Sequence, residues 1–282
     1  MASKTGRVHR ILLGLLAVVG LLATWALVVE PDRLVVHRES LTPGAWPLAL
    51  NGLRVVALGD IHAGSPHVDH RKLLEVVDRV NLQHPDLVLL LGDYVIHGVV
   101  GGRFVDAEPI ARDLGRLRGR LGVFAVLGNH DWWWNGERVR AALEFAGIRA
   151  LENQAVRIGD DNECLWVAGL ADQWTRTPDI EATLEPIPPE DPVLLLSHNP
   201  DVFPGVPARV SLTLAGHTHG GQVAIPLLGR PIVPSRFGSR YAAGLIEEGG
   251  RPLFVTTGLG TSILPVRFRV PPEIAVLTLN SR

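Results

Sequence analysis

The stretch Leu53-Arg54-Val55-Val56-Ala57-Leu58-Gly59-Asp60-Ile61-His62 carries an apolar run into a glycine, a carboxylate and an imidazole. A Val- and Leu-rich run of this length, bounded by turn residues, reads as a buried strand over Leu53–Leu58. Residues two apart on extended chain face the same way, so Asp60 and His62 project from one strand end toward one point. Taken alone, Asp-x-His is better explained by a strand-end turn carrying an exposed His.

The pattern does not stay alone. Leu89-Leu90-Leu91-Gly92-Asp93-Tyr94 and Val126-Leu127-Gly128-Asn129-His130-Asp131 repeat it within strands expected over Leu87–Leu91 and Gly122–Leu127. Amphipathic periodicity predicts helices over Arg71–Leu82, Glu108–Leu117 and Glu137–Phe145. Strands alternating with helices of this length imply right-handed crossovers and a mainly parallel sheet, hence an α/β fold. From Ala155 the strand-like runs crowd together: Leu165–Ala168, Val193–Leu196, Ser211–Leu214, Tyr241–Ile246, Leu253–Val255 and Ile274–Leu279. They predict a second sheet packed on the first.

Two of these later runs also end in imidazoles, in Leu196-Ser197-His198-Asn199 and Leu214-Ala215-Gly216-His217-Thr218-His219-Gly220-Gly221-Gln222. Open α/β sheets bind ligands beyond the carboxyl ends of their strands, where all these polar residues fall. Turn chemistry accounts for Asn and Asp at such positions but not for a succession of His. Asp60, His62, Asp93, Asn129, His198, His217 and His219 offer oxygen and imidazole donors without a usable thiolate. That set suits Mn, Fe, Zn or Co and argues against a sulfur-bound structural zinc site. Seven ligands are too many for one ion. Two ions sharing a bridging carboxylate would use them all and leave positions for water and a substrate oxygen, as in-line phosphoryl displacement requires.

In order, Asp-x-His, Gly-Asp, Gly-Asn-His-Asp, a lone His and Gly-His-x-His resemble the calcineurin-like metallophosphoesterase superfamily, over Asp60 to His219. The tail, with Gly258-Leu259-Gly260-Thr261, Pro265-Val266-Arg267 and Pro271-Pro272-Glu273, further resembles a membrane-associated bacterial subgroup. The resemblance implies a four-layer α/β/β/α sandwich and a binuclear phosphoric ester hydrolase, a phosphodiesterase or phosphomonoesterase. It implies that Asp60, His62 and His219 hold one divalent ion, that Asn129, His198 and His217 hold the other, and that Asp93 bridges them. It also implies that His130 contacts a phosphoryl oxygen or protonates the leaving group, with Asp131 orienting it. The expected chemistry is attack on phosphorus by hydroxide activated at two cations, most simply Mn, Fe or Zn.

Trp132, Trp133 and Trp134 follow Asp131 directly and place aromatic surface near the expected site, either as packing for the next helix or as a substrate wall. Trp132 and Trp133, with Arg267, are the candidate substrate contacts. Arg230, Arg236 and Arg240 share the Gly/Pro-rich loops with Arg267 but read as solvated cations. His67, His70, His84 and His97 match no motif position and read as surface or structural residues. Cys164, the only cysteine, lies in an apolar run and reads as an inert thiol.

Ahead of the domain, Ile11 to Val29 is uncharged and long enough to cross a bilayer. Lys4, Arg7 and Arg10 precede it, so by the positive-inside rule residues 1–10 are cytoplasmic, 11–29 form a transmembrane anchor and the catalytic domain is extracytoplasmic. The rival is a cleaved signal peptide; no Ala-x-Ala site follows the run. Residues 30–50 read as a connector and 51–282 as the catalytic domain. A formal net charge of −2, with both signs dispersed, announces no nucleic-acid face. The expected partners are therefore a membrane and a phosphate-ester substrate of amphiphilic character, such as a lipid-linked or nucleotide-sugar phosphate of the UDP-2,3-diacylglucosamine type. The competing function is a non-catalytic metal-binding interaction module on the same sandwich.

Overall fold

The computed structural model describes residues 4–44, 46–160 and 164–281. Residues 1–3 of the expected cytoplasmic segment, Ala45 of the connector and Arg282 at the carboxy terminus lie outside the described residues.

An apolar helix α1 (Lys4–Thr24) runs through a π-helical turn (Trp25–Val29) into α2 (Glu30–Asp32). Then come β1 (Val35–Leu41), β2 (Leu53–Leu58), α3 (His70–Asn81), β3 (Leu87–Leu90), α4 (Ala107–Leu114), β4 (Val123–Ala125), α5 (Asn129–Trp134) and α6 (Gly136–Phe145). The second half contributes β5 (Arg149–Ala150), β6 (Gln154–Ile158), β7 (Leu165–Gly169), α7 (Ile180–Leu184), β8 (Val193–Ser197), β9 (Leu212–Ala215), β10 (Gly244–Glu248), β11 (Arg251–Val255) and β12 (Glu273–Leu279).

Two six-stranded sheets result, ordered β1-β12-β2-β3-β4-β5 and β10-β11-β9-β8-β7-β6. In each, the central site-bearing strands are parallel: β2, β3 and β4 in the first sheet, and β7, β8 and β9 in the second. Their carboxyl ends therefore share one edge.

Alternation along the strands builds the layers. Val56 and Leu58 of β2 join Val88 and Leu90 of β3 in a core under α3, α4 and α6. Val55, Ala57, Leu87 and Leu89 face the other way, against Leu194, Leu196, Leu212 and Leu214 of the second sheet. The outer face of that sheet packs Leu195 and Val255 on Leu184, Phe203 and Tyr241. This is the expected four-layer α/β/β/α sandwich, with a thin fourth layer made of α7 and the 3-10 turn Pro200–Gly205.

The connector differs from expectation. Val35–Leu41 is no spacer but an edge strand, parallel to β12 from Val35↔Glu273 to Leu41↔Leu279. Its His37, Arg38 and Glu39 give it polar text, as an edge strand tolerates on its solvated side. The run read as beginning at Tyr241 splits into a 3-10 turn (Gly238–Tyr241) and β10.

Leu89 is fully buried between the sheets. Leu89→Ala should cost about 2–5 kcal/mol, seen as a lower midpoint in chemical denaturation. An unchanged midpoint would show that the two sheets do not pack as described.

Candidate metal centre

Each site residue sits just past a strand end, and the loops there are stitched into one another. Beyond the last rungs of β2 and β3, Asp60 N–H donates to Gly92 O, His62 N–H to Asp93 O and Ala63 N–H to Tyr94 O. On the facing sheet Gly216 N–H donates to His198 O. The loop after β11 closes the ring, with Leu259 N–H on Gly59 O and Gly260 N–H on Asp60 O. Asp60, His62, Asp93, His217 and His219 all take positive φ, between 44° and 68°. Asp and His visit this region more readily than most residues, but five in one site represents stored strain.

The side chains converge. Asp93 Oδ2 lies 3.5 Å from His62 Nε2 and 3.3 Å from His198 Nε2, facing both halves of the site at once. On one side, His62 Nε2 lies 3.2 Å from His219 Nε2, which is 3.6 Å from Asp60 Oδ1. On the other, His198 Nε2 lies 3.2 Å from His217 Nδ1 and 3.1 Å from Asn129 Oδ1. His198 donates its Nδ1–H to Leu91 O at 2.7 Å, which fixes the tautomer and aims Nε2 inward. Three groups able to hold a cation follow: Asp60, His62 and His219; His62, Asp93 and His130; Asp93, His198 and His217. Asn129 Oδ1 abuts the last of these through His198.

The electrostatics fit divalent cations. Two imidazole nitrogens 3.2 Å apart in a buried site bring lone pairs together unless a proton or a cation lies between them. Donors about 2.1 Å from one ion at right angles stand about 3 Å apart, which is this spacing. Burial drives His62 and His217 down to about 3, and His219 also well below its usual range, so all three are neutral and keep a lone pair to give. Burial pushes Asp60 up to about 7, His198 pulling it down and Asp93 pushing it further up. Burial also works to raise Asp93, yet His198, His130 and His62 outweigh it and hold the carboxylate well below its ordinary range. His198 is raised: burial opposes its charge, but Asp93 and Asp60 overcome it. A proton on His198 thus supplies part of the positive charge that this anion-rich pocket demands.

These contacts belong to a known family. The model for calcineurin-like phosphoesterases matches residues 53–221, from the first site-bearing strand through the Gly-His-x-His segment. The chain belongs to the calcineurin-like phosphoesterase family. It is 31% identical over 261 residues to the uncharacterized metallophosphoesterase YkuE of Bacillus subtilis, covering 91% of this chain and 89% of that one. It is 36% identical over 207 residues to the phosphodiesterase YaeI of Escherichia coli, covering 70% and 71%. It is 32% identical to a transmembrane protein with metallophosphoesterase domain of Danio rerio, covering 94% of this chain and 62% of that one. Family members use divalent metals, and the chain is a metallophosphoesterase, a hydrolase of phosphoester bonds.

His130 lies at the rim of the pocket. Its backbone N–H donates to Asp93 Oδ1 at 2.9 Å, and its Nε2 is 4.0 Å from Asp93 Oδ2, farther than either His62 or His198. Burial lowers its pKa, against the pull of Asp93. Asp131 differs from its expected role as a partner of the His130 ring. Its carboxylate instead accepts backbone N–H groups of Asp93, Tyr94, Val95 and Gly128, and so acts on His130 only through the main chain. It clamps the loop after β3 to the start of α5.

Of the aromatic residues, Trp133 is about half exposed and its ring centroid lies 4.9 Å from that of His130. Trp132 turns away: it packs against the helical core and under the guanidinium of Arg176, 4.4 Å from the ring centroid. Trp134 packs on Phe104. Arg267 is not a surface cation either. It is fully buried, and its guanidinium donates to the carbonyls of Thr257, Gly258, Gly260 and Val270, which leaves no free face for a phosphate.

Trp174 was not among the expected site residues. It stands edge-on to His217 with centroids 4.3 Å apart, and 6.2 Å from Trp133. Its loop is held by Asp172, whose Oδ2 accepts from Trp174 N, Thr175 N and Thr175 Oγ1. The signal was present: Ala168-Gly169-Leu170-Ala171-Asp172 is another apolar run ending in a carboxylate. His97, expected to be a surface residue, is exposed but lies 5.8 Å from Trp133 and 6.2 Å from His130, centroid to centroid.

A side chain at Gly128 would overlap Asp93 Oδ1, and one at Gly216 would stand 2.7 Å from Asp60 Oδ2. Gly128→Ala and Gly216→Ala should each lower bound metal per chain, measured by elemental analysis, while far-ultraviolet circular dichroism stays near wild type. Full metal content in both would mean that close backbone approach does not hold these carboxylates.

Proposed function

We propose that the domain hydrolyses phosphodiesters at a binuclear divalent-metal centre. One ion is held by Asp60, His62 and His219 and the other by Asn129, His198 and His217, with Asp93 shared between them. The observation that carries this reading is the single atom Asp93 Oδ2, within 3.5 Å of imidazole nitrogens from both halves of the pocket. The choice of diesters rests on the YaeI relative, which is named a phosphodiesterase. Mn, Fe and Zn are the metals that the donor set favours.

When bound, the cations supply charge neutralisation and an acidified water nucleophile. The side chains do the rest. His130, held over the pocket by its own N–H on Asp93, hydrogen-bonds a phosphoryl oxygen and delivers a proton to the leaving oxygen. Asp131 keeps that helix start in register with Asp93. Trp133 and Trp174 form the wall against which the leaving or retained group lies.

His130→Ala should reduce turnover of bis-p-nitrophenyl phosphate by about 10²- to 10⁴-fold with metal content unchanged. Loss of metal instead would make His130 a ligand. Chelation should abolish turnover, and readdition of Mn, Fe or Zn should restore it. A protein that binds two ions and hydrolyses neither diesters nor monoesters with any of these metals would be a binding module.

The apolar helix is proposed as an uncleaved anchor with the domain outside the cytoplasm, on the strength of Lys4, Arg7 and Arg10 at its start. Protease added to intact spheroplasts should then digest the domain. A protected domain would instead give the site access to cytoplasmic substrates such as UDP-2,3-diacylglucosamine.

A further inference from the structure

The described part of α1 stands clear of the domain, exposed along its length, and the domain meets the apolar run in the π-helical turn that follows. There, two carbonyls inside the apolar run are taken by the domain: Arg267 N–H donates to Ala26 O, and His67 Nε2 meets Leu27 O. Ala26 is open to this because the turn is π-helical, with Glu30 N–H on Trp25 O, and the next donor in that series would be Pro31, which has no N–H. The apolar run continues to Val29, so Ala26 lies about 4.5 Å short of its end at the helical rise per residue. The domain loop that holds Ala26 therefore sits level with hydrocarbon-facing residues of the helix.

That loop and its neighbour carry apolar tips. Residues 261–266 precede Arg267, and Ile263 and Leu264 are 68% and 53% exposed. The neighbouring turn, closed by reciprocal bonds between Ile225 and Gly229, presents Leu227 and Leu228 at 107% and 77%, with Ile232 beyond it at 76%. The two loops are joined: Gln222 Nε2 donates to Leu264 O, Ser262 N–H to Gln222 Oε1, and Ala224 N–H to Phe268 O. Leu227 and Ile263 both take positive φ, 67° and 61°, where a water-exposed turn would favour Gly or Asn. One loop follows His219 directly, and the other follows Gly258 and Gly260, which pack on Asp60 and His62.

We infer that these two loops form a collar that inserts into the bilayer beside the anchor, with Leu227, Leu228, Ile232, Ile263 and Leu264 entering the headgroup and upper acyl region. The occupant of this apolar surface is lipid, because the loop of Ile263 and Leu264 is bonded to the helix within its apolar run at Ala26 and is bonded in turn to the segment that carries Leu227 and Leu228. Single exposed apolar residues are ordinary, but five on two linked loops around a membrane helix form an interfacial patch. The collar keeps the mouth of the site at the membrane surface. The inference rests on the anchor reading, and not on the chemistry of the site.

The test uses the full chain in nanodiscs of phosphatidylethanolamine and phosphatidylglycerol. In a Cys164→Ser background, Leu227→Cys, Ile263→Cys and, as a control, Phe145→Cys are labelled with an environment-sensitive fluorophore. Phe145 is 97% exposed and ends the helix leading to the start of β5, at the end of the sheet away from the site. Labels at 227 and 263 should emit to the blue of the label at 145 and be quenched by nitroxide-bearing lipids. Emission matching that at 145 would overturn the collar, and so would a blue shift without lipid quenching, which marks contact with a second copy. Alkaline carbonate extraction separates the two readings. Release of the chain overturns the anchor and the collar together, whereas retention with labels in water overturns the collar alone. Leu227→Ser/Leu228→Ser should weaken quenching at 263 and leave hydrolysis of bis-p-nitrophenyl phosphate unchanged, and an undiminished signal at 263 would count against joint insertion.

Discussion

The carboxylate of Asp93 is buried between two sheets, and the surrounding structure answers to its charge. Desolvating a carboxylate costs several kcal/mol, repaid only by close opposite charge and by hydrogen bonds on its lone pairs. Oδ1 receives the His130 N–H and Oδ2 faces His62 and His198. With His62 driven neutral by burial, a proton on His198 answers Asp93, while Asp60, itself raised to about 7, faces the fixed charge of Arg267. A pocket that sets two carboxylates among neutral imidazole lone pairs is prepared for cations.

That preparation is built into backbone as much as side chains. Five site residues at positive φ cost on the order of 1 kcal/mol or more each. They are held by hydrogen bonds that run past the sheet edge: β2 to β3 through Asp60 and His62, β8 to β9 through Gly216, and the loop after β11 onto Gly59 and Asp60. Asp131 completes the lattice by satisfying four backbone donors with one carboxylate. A buried acid so occupied is costly to lose and has little left to offer a neighbouring imidazole. This is why it serves His130 through the main chain.

The strand-end pattern carried most of this in the sequence. Alternating apolar runs gave the core strands and their two faces, and the terminal Gly-Asp, Gly-Asn-His and Gly-His steps gave the residues that converge. Three things were not legible. Val35–Leu41 reads as connector because His37, Arg38 and Glu39 follow one another and break the apolar alternation, and an edge strand that is only half-buried tolerates them. Trp174 reads as ordinary loop because the strand-end run before it points to Asp172, whereas the proximity of Trp174 to His217 depends on how β7 is placed relative to β9. Trp132 and Trp133 are adjacent and chemically identical, yet helix geometry sends one into the core and leaves the other at the rim.

Arg267 shows the same limit with more consequence. A cation in a Gly/Pro-rich loop reads as a phosphate contact because its donors are assumed to be free. Here the loop curls around the guanidinium, carbonyls of Thr257, Gly258, Gly260 and Val270 take its two terminal nitrogens, and its Nε is buried. Burial lowers its pKa to about 10, partly countered by Asp60 and Glu273, so it keeps its charge at neutral pH. That fixed charge lowers the pKa of both Asp60 and His219, while its backbone N–H holds Ala26 of the apolar helix. Gly258 and Gly260, held by the same side chain, are the residues that crowd Asp60 and His62. One arginine therefore couples the geometry of the candidate metal centre to the position of the helix. Displacing the helix would pull on the loop that fixes Asp60, and the loop would resist because four of its carbonyls share one buried cation.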